Sequence, residues 1–546
     1  MDSIEVVLAM LLAVVASAFV MRLIPRWLPV PLPLVQIALG ALIAAKSAHG
    51  VELEPELFFL IFLPPLLFLD GWRIPKSGLL RDKGTILELA FGLVVATVIG
   101  AGFLIHWLIP AMPLPVAFAL AAIVSPTDPV AVSAITSTTP IPKRLMHILE
   151  GESLLNDASG LVCFRFAVAA ALTGSFSLGT AALTFCWLVA GGVAAGVGVT
   201  MLVTRVQQWL LRRCGEPAGS PILVNLLLPF GAYMEAEEIH ASGILAAVAA
   251  GITMSYVELN GHALAATRIQ RAAVWDTVQF ALNGVMFVLL GEQLPDIFHG
   301  ASVSIEQTGH MNHWWLAVFA IAITAGLLAL RMAWVWTSLR LTIFRQTIRH
   351  QPRFKIQPRL LLATTLAGAR GTITLAGVLT LPLTLSDGAP FPARELVVFL
   401  ASAVILISLL VASIGLPRLL SGMHFPDEPE EQQQEDQARR AAARAAITAV
   451  EQAQLQAMPL TSHPDVCLQA AARVIALYRH RLEDAGADRA KQGELHLLDQ
   501  AERALRLEAL DAERKVVFDL ARNGELSDEV SRKLVREIDL IEARYS

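Results

Sequence analysis

Glu150-Gly151-Glu152-Ser153-Leu154-Leu155-Asn156-Asp157 opens a stretch that is otherwise apolar as far as Thr173. A charge at bilayer depth costs about 2.5–3.5 kcal/mol per residue on insertion scales. A chain that places carboxylates there is most simply explained by ions that must meet them. The apolar stretch is one of thirteen, at approximately 4–24, 29–46, 56–72, 84–108, 112–137, 149–173, 180–204, 221–238, 242–257, 272–293, 313–338, 359–382 and 395–417. Each approaches the roughly 20 residues that span a bilayer as helix.

The charge distribution tests this set. Only 16% of the 546 residues are charged, against about 25% in soluble domains. The deficit is local: residues 427–546 hold 17 Lys/Arg and 24 Asp/Glu, whereas residues 1–426 are nearly balanced. The sequence predicts a membrane domain over 1–425 and an acidic helical tail over 426–546. Loops after the odd-numbered spans 1 to 11 carry nineteen Lys and Arg, and the opposite side has only Lys46 and Arg394. The positive-inside rule puts those loops and the tail in the cytoplasm and the N-terminus outside. Asp2 and Glu5 stand where a secretory signal carries basic residues, so the first stretch reads as a span. The four cysteines, Cys163, Cys186, Cys214 and Cys467, share no ligand-like spacing. No disulfide framework, zinc site or nucleic-acid partner is expected.

Two spans carry strong helix breakers. Ser125-Pro126-Thr127-Asp128-Pro129 interrupts the fifth, and Gly368-Ala369-Arg370-Gly371-Thr372 loosens the twelfth. Interrupted backbone at this depth is tolerated only where it is buried or lines a wet cavity. With spans 1–6 and 8–13 as two halves, both breaks fall in the fifth span of a half, and the halves are inverted in the membrane. Matched interruptions in inverted halves point to a transporter's binding site.

Asp157 is the first candidate for that site. Burial favours a protonated carboxyl and a nearby cation favours the carboxylate, so H⁺ and Na⁺ compete for one group. Ser153 lies one turn earlier on the same face. Thr127, Asp128 and carbonyls freed by the proline break can complete an oxygen shell. Arg370, near the centre of span 12, needs a partner, and Glu152 or Glu150 is expected to supply it. Asp128 is expected to face the span 12 break and neutralise its backbone dipoles. Arg165 either tunes Asp157 or pairs with another acid. Asp70 is either loop-exposed or a pathway acid. Gln279 and Asn283 read as interhelical hydrogen-bonding groups.

Phe62-Leu63-Pro64-Pro65-Leu66-Leu67-Phe68, Ser125 to Val132, Glu152 to Asp157 and Gly368 to Gly371 together resemble the cation–proton antiporter superfamily. The Asn156-Asp157 pair resembles its electroneutral NhaP/NHE-type sodium–proton exchanger branch. The resemblance implies an all-α polytopic fold of thirteen transmembrane helices, with inverted six-helix repeats and crossed broken helices 5 and 12. It implies Asp157 as the ion- and proton-binding carboxylate, Asn156 in place of a second Asp, and Ser153 and Thr127 as ligands of a monovalent cation. It implies Glu152–Arg370 as a supporting ion pair, an acid of span 3 (Asp70 being nearest) at the site, and an elevator-like exchange of one cation for one proton. A homodimer in the plasma membrane, bathed by lipid and serving pH homeostasis, is expected. No cofactor or ATP is expected, since no phosphate-cradling loop is present. A cation channel and an intramembrane aspartyl protease using Asp128 and Asp157 are the competing readings. In the tail, helices are expected over 437–457, 464–484, 488–521 and 528–544, the last capped by Ser527.

Overall fold

The computed structural model describes residues 3–24, 30–46, 55–74, 83–128, 132, 143–173, 178–214, 220–258, 265–307, 314–348, 358–385, 389–421, 429–457, 464–484, 489–523 and 526–545. Within them the chain is helical and divides into two compact units, Met1–Met423 and His424–Ser546.

The first unit begins with α1 (Ser3–Leu23), α2 (Leu32–Ala44) and α3 (Pro55–Arg73). Next comes α4, which joins Lys83–Leu87, a π-helical segment Glu88–Leu93 and Val94–Leu108. There follow α5 (Leu114–Ile123), α6 (Lys143–Thr173), α7 (Leu178–Cys214), α8 (Ser220–Glu238) and α9 (Gly243–Glu258). The unit closes with α10 (Ala265–Gln307), α11 (Trp314–Ile348), α12 (Pro358–Leu366), α13 (Thr372–Leu379) and α14 (Arg394–Leu420). Thus α1 to α11 and α14 each overlap one predicted span, and α12 and α13 share the twelfth.

Six helical stretches among the described residues are long and apolar enough to cross a membrane: Glu88–Leu108, Leu145–Thr173, Leu183–Leu210, Thr267–Ser302, Trp314–Arg340 and Arg394–Leu420. Val7–Leu23, Leu32–Ala44, Leu114–Ile123 and Gly243–Glu258 are shorter apolar helices. Helix α3 runs through Pro64 and Pro65 without ending. The fifth and twelfth stretches do break. Helix α5 stops at Ile123, leaving 124–128 non-helical, and residues 367–371 separate α12 from α13. Pro129 and most of the chain up to 142 lie outside the described residues.

Two helix pairs are packed backbone to backbone. Gly40 of α2 lies against the Val288 carbonyl of α10, and Gly291 of α10 against the Ile37 carbonyl of α2. Gly71 of α3 sits on the Val248 carbonyl of α9, and Gly251 of α9 on the Phe68 carbonyl of α3. Lipid tails are as apolar as Leu, so helices in a bilayer gain contact chiefly through small residues that let backbones approach. Beside the second crossing, Phe68 stacks on Trp275 with ring centroids 5.3 Å apart. Trp275 Nε1 in turn donates to Asn225 Oδ1 at 2.7 Å.

The second unit holds α15 (Pro429–Ala457), α16 (Pro464–Asp484), α17 (Arg489–Arg522) and α18 (Asp528–Tyr545), with α15 packed on α16 and α17 on α18. Helix α15 begins eight residues before the predicted 437, at Pro429 in the acidic Gln/Glu run, because a proline at the first turn is preorganised for helix. Ser527 caps α18 as expected, its Oγ accepting the Val530 N–H at 3.4 Å. Arg514 of α17 holds Asp539 of α18 at 3.0 Å and also bonds Glu542.

A side chain at either reciprocal crossing must push two backbones apart. Gly291→Ala and Gly251→Ala are each expected to destabilise the detergent-solubilised protein by about 1–3 kcal/mol. Gly198→Ala is the control, since a Cβ there meets nothing within 4 Å. Thermal melting followed by fluorescence-detected size exclusion reads the difference.

Candidate functional site

The two interrupted stretches cross. The Asp128 N–H donates to the Ala369 carbonyl at 2.8 Å, joining one break to the other. Arg370 Nε donates to the Val124 carbonyl at 2.9 Å, and its Nη1 bonds the Gly368 carbonyl. The Arg370 N–H donates to Ser408 Oγ of α14 at 3.1 Å. Gly371, just before α13, has the Asp128 carboxylate where a Cβ would stand. A carboxylate at that point faces the partial positive charge of a helix N-terminus.

Helix α6 lays its acidic turns against this crossing. Glu152, Ser153, Asn156 and Asp157 are all buried, with Asp157 2% exposed and Glu152 fully enclosed. Asn156 Nδ2 donates to Thr127 Oγ1 at 3.0 Å, and Thr127 Oγ1 donates to Glu152 Oε1 at 3.3 Å. The amide, hydroxyl and carboxylate form one directed chain from α6 to the first break and back. Arg331 of α11 closes it, with Nη1 on Glu152 Oε1 and Nη2 on Oε2 at 3.0 Å. Arg331 Nε also donates to the Thr364 carbonyl near the end of α12, at 3.2 Å. Asp70, Asp128 and Glu152 lie within electrostatic reach of Asp157. Ser125 Oγ and Asn156 Oδ1 are buried with no hydrogen-bond partner among the described residues. Buried oxygens of this kind are the donor type that a hard cation takes.

This arrangement corrects one expectation. Glu152 pairs with Arg331, and Arg370 makes its bonds to carbonyls. The reason is local: the breaks at 124–128 and 367–371 free carbonyls that a helix would satisfy, and a guanidinium with five donors answers them. Arg331 passed unnoticed in the sequence. The signal was present, since it is a lone Arg midway through the apolar 313–338 stretch and needed a partner as much as Arg370 did.

The comparisons agree with the geometry. The family model described as "Sodium/hydrogen exchanger, transmembrane" matches residues 15–422. The chain belongs to the sodium/hydrogen exchanger family. The "Uncharacterized Na(+)/H(+) exchanger YjcE" of Escherichia coli is 40% identical over 544 residues, covering 98% of each chain. The "Sodium, potassium, lithium and rubidium/H(+) antiporter" of Bacillus subtilis is 39% identical, over the whole of this chain and 78% of that one. In fold, the sodium proton antiporter MjNhaP1 from Methanocaldococcus jannaschii aligns with TM-score 0.58 at 17% identity, over 77% of this chain and 99% of its own. As a member of this exchanger family the protein is a multi-pass membrane transporter and not an enzyme. The aspartyl protease and channel readings have no support.

The other candidates fall into place around the exchanger's crossing. Asp70 is half-buried near the end of α3, within electrostatic reach of Asp128, Arg73 and Glu150, so it is not a loop residue. Arg165 pairs with Glu237 of α8 at 3.3 Å, both side chains partly exposed. Gln279 Oε1 accepts from Arg73 Nη1 at 2.8 Å, and Arg73 also pairs with Asp276, tying α3 to α10. At the same end Glu258 accepts from Trp72 Nε1 at 2.8 Å and pairs with Arg271.

Removing one member of a buried pair leaves the other charge uncompensated, at about 3–5 kcal/mol. Arg331→Ala is therefore expected to lower the yield and melting temperature of folded protein severely. A Glu152→Gln/Arg331→Met double variant is expected to regain much of both. Equal losses for the single and double variants, measured by thermal melting in detergent, would show that the pairing does not hold the fold.

Proposed function

We propose that the exchanger carries one monovalent cation one way for each proton carried the other, with Asp157 as the carboxylate both ions share. The observation that carries this reading is the burial of Asp157 in the turns of α6 where Asn156 bonds Thr127 of the first break, with Ser153 buried one turn earlier. Thr127 and Ser153 are assigned as cation ligands with Asp157. Asn156 orients Thr127, and the Arg331–Glu152 pair holds the network. Asp128 neutralises the end of α13, and Asp70 belongs to the ion pathway. A relative whose name covers sodium, potassium, lithium and rubidium supports a broad choice of cation for this chain.

The same reading assigns thirteen transmembrane crossings in two inverted halves, with the N-terminus outside and the tail in the cytoplasm. The packing supports it. Exchanging the halves sends span 2 to span 9 and span 10 to span 3, so the α2–α10 crossing maps onto the α3–α9 crossing. Both crossings rest on one glycine from each helix. Residues 1–425 are assigned as the antiporter domain and 426–546 as a cytoplasmic acidic tail. The protein works in the plasma membrane as a homodimer, by an elevator-like movement, with no cofactor.

Purified protein in liposomes with an entrapped pH dye tests this. Imposing Na⁺, K⁺ or Li⁺ gradients in turn is expected to drive proton movement in the wild type. In Asp157→Asn it is expected to leave the signal at the protein-free baseline. Clamping the voltage with valinomycin and K⁺ is expected to change the Na⁺-driven rate by less than about twofold for a 1:1 exchange. Continued exchange by Asp157→Asn would refute the shared-carboxylate mechanism.

A further inference from the structure

We propose that Ser159 is a positioning residue of the exchange reaction. Its hydroxyl, seated on the π-helical segment of α4, fixes the turn of α6 that carries Asn156 and Asp157. The proposal rests on the reading of Asp157 as the exchanging carboxylate and adds the element that holds it in place.

Ser159 is buried, and its Oγ donates to the Ala90 carbonyl at 2.8 Å while lying 3.1 Å from the Asn156 carbonyl. Ala90 falls inside the π-helical segment Glu88–Leu93. A π turn takes in one extra residue, displacing a carbonyl from its usual i+4 donor, and such turns occur mostly as single features inside α-helices. The Ser159 hydroxyl adds a donor to a carbonyl of this segment. Two residues along an α-helix are about 200° apart around its axis. Ser159 is therefore on the opposite face of α6 from Asp157, and it acts on the site from behind without touching the ion.

A second contact fixes the other end of the same turns. A Cβ on Gly151 would come within 2.8 Å of Ile86 Cδ1, so α6 lies directly on α4 there too. Glu152 to Asp157 are thus held between two anchor points on α4, a steric one at Gly151 and a hydrogen-bonded one at Ser159. The π segment reaches the other side of the network as well. Gly92 packs on the indole of Trp334, one turn past Arg331 on α11. One short segment of α4 therefore sets both the carboxylate helix and the helix that supplies its arginine. A shift of the Ser159 turn moves Asn156, and with it the amide that holds Thr127 Oγ1.

The test compares Ser159→Ala, Ser159→Cys and Ser159→Thr with wild type and Asp157→Asn in liposomes. Maximal rate and half-saturating concentration are measured for Na⁺ and for K⁺, and thermal melting is measured in detergent. The loss of one such hydrogen bond is expected to raise the half-saturating Na⁺ concentration about three- to tenfold in Ser159→Ala. The maximal rate is expected to stay within about twofold, and the ratio of Na⁺ to K⁺ half-saturation to change. Ser159→Thr, which keeps the donor, is expected to return toward wild type, with Ser159→Cys between. If Ser159→Ala does not fold, the near-isosteric Cys variant decides by the same criterion. Wild-type half-saturation for both cations in the donor-free variant overturns the proposal. So does an equal loss of rate in the Ala and Thr variants with half-saturation unmoved, since that is the mark of a merely structural contact. Exchange surviving in Asp157→Asn overturns the shared-carboxylate reading instead, whatever Ser159 does.

Discussion

Backbone interrupted at membrane depth has no water to satisfy it, and the structure of this exchanger depends on how it answers that constraint. The breaks at 124–128 and 367–371 answer each other. The Asp128 N–H meets the Ala369 carbonyl, and Arg370 bonds one carbonyl from each break. Gly371 has no Cβ, so the Asp128 carboxylate can approach the start of α13. The Asp128 N–H and the Arg370 guanidinium each reach from one break to the other, and Arg370 also meets Gly368 of its own segment. The crossing is cooperative in the literal sense that each stretch supplies a donor to a carbonyl of the other.

The polar network beside the crossing follows from the same physics. Desolvating Glu152 and Arg331 is expensive, and their attraction offsets the cost only where geometry is good and the remaining lone pairs are used. Here the guanidinium meets both carboxylate oxygens, its third nitrogen meets a carbonyl, and Thr127 donates to the same acid. The pair therefore fixes Thr127, and Asn156 fixes it from the other side. Specific placement of one hydroxyl between Glu152 and Asn156 is what this costly arrangement provides.

Much of this was legible because charge is conspicuous in an apolar stretch. Glu152, Asp157 and Arg370 stand out against their neighbours, and the Pro126 and Gly368–Gly371 breakers mark where helices stop. Partnership was less legible. Counting charges suggested an acid for Arg370, because a sequence displays carboxylates and hides carbonyls freed by a broken helix. Arg331 met the same criterion of a lone Arg in a span but sits outside any motif. The π turn at Glu88–Leu93 leaves no mark in an apolar pattern, and Ser159 reads as one more small helical residue. The reciprocal glycines were visible only as composition, since which Gly meets which carbonyl is a property of the packed pair. In the tail the Ala/Arg/Glu/Leu pattern and Ser527 were enough to place the helices to within a residue, apart from the start of α15.

Under the proposed reading of Asp157 as the shared carboxylate, like charge around it is what lets one group couple two ions. Asp70, Asp128 and Glu152 all act on it, and Glu152 is matched by the Arg331 guanidinium. An ionised Asp157 with nothing bound leaves uncompensated negative charge in a buried place, an expensive state. In the proposed mechanism a proton removes that charge and a cation cancels it, so either passenger lowers the cost of crossing the membrane, and the empty site gains no such relief. The coupling then needs no separate gate. It needs the acids to stay close to Asp157 and the oxygen ligands to stay in register, which the crossing, the Arg331–Glu152 pair and the seat of α6 on α4 together maintain.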